Sequence, residues 1–221
     1  MDVGDALRAR RTVRAFLPRP VPRETLEAIL TDSLRTPSWA NTQPWEIFVA
    51  GGDVFERIRR VSEERTIAKI ASTPDVAFPG AWTAACRNWT KELTAGRAEV
   101  RGTTPEDPSF HHDFLMANRR FFEAPCAVFL CMDQTLGSWS IFDLGAMCQS
   151  IVLAAQDHGV DSAIAINLVI YPDVLRDELQ IPRELLIVIG VALGYVDPDG
   201  PEDAFRSVRR PLDDAVRFVG I

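Results

Sequence analysis

SWSIFDLGAMCQSIVLAAQDHG, residues 138–159, is the stretch on which the fold turns. Wound as a helix, its apolar residues go nearly all the way round, which predicts burial on most sides. In a chain of 221 residues such a helix is either a central element or one packed against a second subunit. Gly159 supplies its C-terminal stop.

Reading outward, CAVFLCMD (126–133) is a short apolar run that predicts a buried strand. WEIFVA (45–50), bounded by Gly51 and Gly52, predicts another, and ELLIVIGVALGYV (184–196) a third strand region. PRETLEAILTDSLR (22–35) carries Leu26, Ile29, Leu30 and Leu34 at helical spacing, with Pro22 at its start. DVFERIRRVSEERTIAKIA (53–71) predicts an amphipathic helix with Asp53 as N-cap. A mixed stretch, AIAINLVI (163–170), leads to a further helix at Pro172 and Asp173. Residues 72–115, with Pro74, Pro79, Pro105 and Pro108, read as an irregular, partly helical lid on a single domain spanning 1–221. The class is mixed α/β (α+β), helices dominating, with a small sheet in the middle.

The composition is that of a globular protein, with 47% hydrophobic and 25% charged residues. A net charge of −7 opposes general nucleic-acid binding, which needs a broad basic surface. The start, MDVGDALRARR, lacks the apolar core of a signal peptide. Runs 126–132 and 185–196 are too short to cross a bilayer as helices. The expectation is a cytoplasmic protein without membrane or nucleic-acid partners. Cys86, Cys126, Cys131 and Cys148 form no Cys-x-x-Cys pair and read as buried free thiols, with Cys126 and Cys131 on opposite faces of one strand. No metal site is expected; adjacent His111 and His112 read as solvated surface.

The chain shows no GxGxxG, Walker loop, HExxH or GxSxG. Its chemical signal is arginine. RARRTVR (8–14) and SVRRP (207–211) are basic islands in an acidic chain. They are either a solvated helix face or an anion site, since guanidinium forks match phosphate oxygens in pairs and Thr12 adds a hydroxyl. RTPSWANTQPW (35–45) is the second signal. Trp45 reads as the start of a core strand. Pro37, Ser38 and Asn41 read instead as a rigid set of amide and hydroxyl groups suited to the edge of a flat heteroaromatic ring.

RRTVRAF (10–16), TPSWANTQPW, ANRRFFEAPCAVFL, DLGAMCQSIVLAAQDHGVDS, YPDVLRDELQIP, VIGVALGYVDPD and FRSVRRPLDDAVRFVG, in that order, resemble the nitroreductase family of FMN enzymes over nearly the whole chain. The resemblance is strongest to the branch that reduces nitroaromatic compounds such as nitrobenzoates. It implies a small, mostly antiparallel central sheet surrounded by helices, and an intertwined homodimer with FMN at the subunit interface. It also implies that Arg10, Arg11 and Thr12 bind phosphate and ribityl groups and that Arg14 lies at the pyrimidine edge of the flavin. Arg209 would close on the phosphate, and Pro37, Ser38, Trp39 and Asn41 would come from the second subunit. Residues 163–168, Ala165, Ile166 and Asn167 among them, would run beside the ring and offer a backbone N–H to N5. NADH or NADPH would give hydride to flavin N5, and a nitroaromatic or quinone-like substrate would then take two electrons in the same place. No side chain is assigned as catalytic, because the flavin carries the chemistry.

Three departures from the family pattern stand out. Trp39 replaces a small residue and would reshape the pocket, with Phe78 and Trp82 of the lid as further substrate-pocket residues. Ser207 replaces a basic residue, so that one phosphate contact is either missing or supplied by Arg206 or Arg210. AIAINLVI lacks the Pro-x-Glu-Gly of some members. Other readings are a dehydrogenase, dehalogenase or flavin-cleaving enzyme on the same scaffold, or a non-catalytic anion- or nucleotide-binding protein.

Overall fold

The structure, a computed structural model, describes residues 1–221. Four strands form its centre: β1 (Glu46–Gly51), β2 (Cys126–Asp133), β3 (Asp161–Ala165) and β4 (Leu185–Gly194). They lie in the order β1-β2-β4-β3, and each neighbouring pair is antiparallel. Strand β2 is buried along nearly its whole length, which is why it reads as a continuous apolar run rather than an alternation. Its residues divide by parity. Ala127, Phe129 and Cys131 enter one core, while Cys126, Val128, Leu130 and Met132 enter the other, so the two cysteines do face opposite sides. Between Leu130 and Cys131 the register to β4 slips from Ile189 to Ile187, a bulge.

Helices cover both faces. On the first lie α3 (Gly52–Ile67), α5 (Pro108–Arg119) and α7 (Pro172–Leu179). Phe55 of α3 meets Phe121 edge-on at 5.0 Å between centroids, and Phe121 meets Phe129 of β2 at 6.4 Å. On the second lie α2 (Arg23–Ser33) and α6 (Ser138–Asp157), joined through Ile29, Leu144, Met147, Ile151 and Val152. Helix α6 is the 138–159 stretch. It is long and apolar enough to cross a bilayer, yet one side is packed into this core. Its other side is open, with Trp139 at 68% and Phe142 at 70% exposure. Burial on most sides is therefore not reached within one chain.

Two local expectations are corrected. Asp53 is not the N-cap of α3; the helix begins one residue earlier, Gly51 takes the cap position, and Asp53 sits in the first turn. Residues 72–115 are not mainly irregular. They hold the 17-residue helix α4 (Ala84–Val100) and the first part of α5. Thr83 caps α4 by accepting from the Cys86 N–H at 3.2 Å, and Asp107 caps α5 from the Ser109 N–H at 2.8 Å.

The two ends of the chain meet beside the sheet. After α1 (Val3–Ala9), the Val13 N–H donates to the Ser162 carbonyl at 3.0 Å. The Leu17 N–H donates to Tyr195, at 2.8 Å, and the Asp197 N–H to Ala15, at 3.0 Å. The N-terminal arm is thus stitched between β3 and the exit of β4. Gly194 allows this closeness: a Cβ there would lie 2.6 Å from Pro125 Cδ and 2.8 Å from Phe16 Cδ1. Both obstacles belong to rings that cannot swing away, so Gly194→Ala is expected to cost about 2–3 kcal/mol. The melting temperature should fall by roughly 5–10 °C. An unchanged thermal transition would show that the arm is not held this tightly.

Candidate functional site

The stitched arm carries Arg10–Arg14 to the segment 203–210 that follows β4. A cavity of about 370 Å³ opens between them. Six arginines line it, Arg8, Arg10, Arg11, Arg14, Arg206 and Arg209, together with Thr12 and Ser207, and no acidic residue does. A larger cavity of about 820 Å³ shares Thr12, Arg14, Leu93 and Arg209 and adds Trp89, Glu92, Gly96 and Glu99 of α4. At Gly96 a Cβ would lie 2.9 Å from the Phe205 ring, so α4 and the tail abut there.

The arginines are not equivalent. Arg10 makes no side-chain bond to an acid. Its burial, followed by the like charge of Arg209, lowers its guanidinium pKa from the usual value. Two cations that repel each other across an acid-free cavity favour an anion between them. Arg209 donates to the Ser207 hydroxyl at 2.6 Å and to its carbonyl at 3.2 Å. Ser207, where the family pattern has a base, thus holds Arg209. Arg11 is committed elsewhere: it donates to the Asp203 carbonyl at 2.7 Å and pairs with the Asp203 carboxylate. Arg14 is burial-shifted down to about 10, with the like charge of Arg97 adding to the shift and Glu202 opposing it.

The remaining sequence-selected residues lie elsewhere in the chain. The backbone N–H of Trp39 donates to both oxygens of buried Asp143 in α6, at 3.2 Å each. The Trp39 indole itself is 68% exposed. Ser38 accepts from the Gln43 N–H at 2.9 Å. Ala40, Asn41 and Gln43 hold φ of 50°, 56° and 47°, the left-handed region that disfavours side chains. Three such residues in so short a loop mark a backbone shaped for something other than local ease. Pro37, Ser38, Trp39 and Asn41 do not line the arginine cavity of their own chain.

Ile166 and Phe78 share a third, apolar cavity of about 360 Å³ with Ile141, Ile164 and Val188. Ala165 packs against the core beneath, and Asn167 accepts from Arg119 through its carbonyl at 3.4 Å and its side-chain oxygen at 3.3 Å. Trp82 is exposed and lines neither this cavity nor the arginine pair. Sequence reasoning missed Trp89, Arg97 and Glu202. The first two sit on α4, inside the stretch expected to be irregular and only partly helical.

Fold and site together define an α+β protein with a cationic cavity where its two chain ends meet. The chain belongs to the nitroreductase family, whose model, described as "Nitroreductase family", matches residues 7–195. It is similar to chloronitrobenzene nitroreductase of Comamonas testosteroni, at 30% identity over 98% of this chain and 96% of that one. Nitrobenzene nitroreductase of Ectopseudomonas oleovorans is 29% identical over the same shares. Among solved structures, the FMN and NADPH-dependent nitroreductase NfnB of Sphigopyxis sp. strain HMH superposes with a TM-score of 0.95. That match has 26% identity and covers 100% of both chains. The expected architecture, a small antiparallel sheet among helices, is the one found.

Proposed function

We propose that this protein is an FMN-dependent oxidoreductase that takes hydride from NADH or NADPH and reduces nitroaromatic or quinone-like substrates, working as a homodimer. The observation that carries the reading is the acid-free cavity on which Arg10 and Arg209 converge. Family membership and relatives named for nitrobenzene substrates support it.

The donor set fits a phosphate monoester such as that of FMN. Guanidiniums offer paired donors, Thr12 offers a hydroxyl, and no carboxylate competes. Bound FMN would supply the two-electron hydride chemistry. Arg10 and Arg209 would hold its phosphate and Thr12 its phosphate or ribityl end. Arg11, locked on Asp203, would fix the turn behind them. Arg14 would place a permanent cation at the polar edge of the ring, and Ala165, Ile166 and Asn167 would border it.

The open side of α6, with Trp139 and Phe142, supports a dimer interface. In that dimer the loop carrying Pro37, Ser38, Trp39 and Asn41 would reach the cavity of the other copy. Helix α4 and the Phe78 segment would act as the lid, with Trp39, Phe78 and Trp82 selecting the aromatic substrate. Four free thiols suit a reducing cytoplasm. The test is an absorbance spectrum after incubation with FMN, followed by NADH and NADPH oxidation with a nitroarene and a quinone. Bound flavin and acceptor-dependent oxidation are expected; a colourless protein that does not take up FMN would end the reading.

A further inference from the structure

Glu202 is claimed by more arginines than it can serve. Its side chain is 5% exposed. Arg97 of α4 takes both of its oxygens, Nε to Oε2 and the second guanidinium nitrogen to Oε1, each at 2.7 Å. Arg101, one turn along, shares Oε1 at 3.3 Å and has Asp113 at 3.1 Å as its own partner. Arg14 is left with its Nε 3.9 Å from Oε2, beyond hydrogen-bond distance. Its side chain makes one hydrogen bond, to the Thr12 carbonyl at 3.4 Å. Three cations thus face two acids, and the fork geometry assigns Glu202 to Arg97 and Asp113 to Arg101. The surplus charge falls on Arg14, which lines both arginine cavities. Arg97 is in turn held by the Phe114 ring, whose centroid lies 4.1 Å from the guanidinium carbon.

We propose that Arg97 is a positioning residue: by occupying both oxygens of Glu202 it holds Arg14 at ion-pair range, out of hydrogen-bond contact with Glu202 and facing the flavin site, so the Arg97–Glu202 fork sets the charge offered there. This rests on the FMN reading above. It goes beyond that reading by assigning control of the site's charge to a residue, Arg97, that lines neither arginine cavity. Without Arg97, the vacated oxygen would accept from Arg14 and pull its charge off the ring. Without the Glu202 charge, nothing would offset Arg14. Opposite signs would follow from the two lost charges alone; the charge-matched comparison with Arg101 separates the fork's positioning of Arg14 from bare charge.

The experiment is the two-electron reduction potential of FMN bound to the full-length protein, measured by equilibration with a redox dye. Arg97→Met is expected to disfavour reduction about tenfold, some 30 mV for a two-electron couple. Glu202→Gln is expected to favour it by a similar factor. Arg101→Met removes the same charge as Arg97→Met but leaves the fork intact, and should shift the equilibrium less than threefold. Shifts of the same sign in the first two, or equal shifts in Arg97→Met and Arg101→Met, would overturn the proposal. If Glu202→Gln does not fold, the comparison of the two methionine variants decides. A crystal structure of flavin-free Arg97→Met tests the competition independently of FMN. Arg14 and Glu202 should close from 3.9 Å to hydrogen-bond distance; an unmoved Arg14 would overturn it. Failure of the wild-type protein to bind FMN, with that closure observed, would instead strike the functional reading alone.

Discussion

Arg10→Ala is expected to weaken FMN binding by roughly a hundredfold, and Arg209→Ala by about as much. A hydrogen bond to a charged group contributes about 1.5–3 kcal/mol, which converts to some 10- to 150-fold in affinity. Because both guanidiniums line one cavity, the double variant should lose less than the product of the single losses. Riboflavin, which lacks the phosphate, should bind wild type and variants alike. Fluorescence titration with both flavins measures this. Equal losses for FMN and riboflavin would place the arginines away from the phosphate. The ligand-free proteins should move the other way. Burial and, after it, the like charge of Arg209 lower the Arg10 guanidinium pKa, so removing either cation relieves repulsion and should not lower the melting temperature. Arg11→Ala should differ in kind, since it breaks the Asp203 bonds and should cost stability with little discrimination between the two flavins.

If the proposed dimer forms through α6, Phe142→Asp is expected to convert it to monomers and, with them, to empty the flavin site. Phe142 is 70% exposed on a helix whose opposite side is in the core. A central aromatic anchor contributes at least about 2 kcal/mol. A twofold interface contains each residue twice, so the dimer dissociation constant should rise by roughly a thousandfold. A charge in place of the ring adds its own desolvation cost. Analytical ultracentrifugation, read beside the flavin absorbance, checks both effects. A variant that remains a flavin-loaded dimer would move the interface away from α6.

Three of the four strands were legible because their signals are local; β3 (Asp161–Ala165), five residues at the sheet edge, lay in a stretch read only as mixed. Strand β2 is apolar throughout since both its faces are covered, and its parity alone separates Cys126 from Cys131. Helix α4 was hidden for an equally physical reason. Its inward face holds Arg97 and Ala98 rather than a stripe of large apolar residues, and its hold on the tail is an ion pair with Glu202, 105 positions away. Hydrophobic periodicity cannot register that kind of packing. The surrounding prolines also mislead, because Pro79 and Pro105 lie outside α4 and Pro108 opens α5.

Residue types, their order and their local periodicity were enough to establish three of the four strands, the apolar helix at 138–157 and two arginine islands in an acidic chain. They could not say which arginine is free. Tertiary structure decided that Arg11 is taken by Asp203 and Arg97 by Glu202, while Arg10 and Arg209 line one cavity with no acidic partner and Arg14 faces it with Glu202 only at 3.9 Å. Such partners lie a hundred or more positions apart, and only the stitching of the first arm to the exit of β4 brings them together. A guanidinium's availability depends on which carboxylate lies within about 3 Å of it, and that distance is a property of the folded chain.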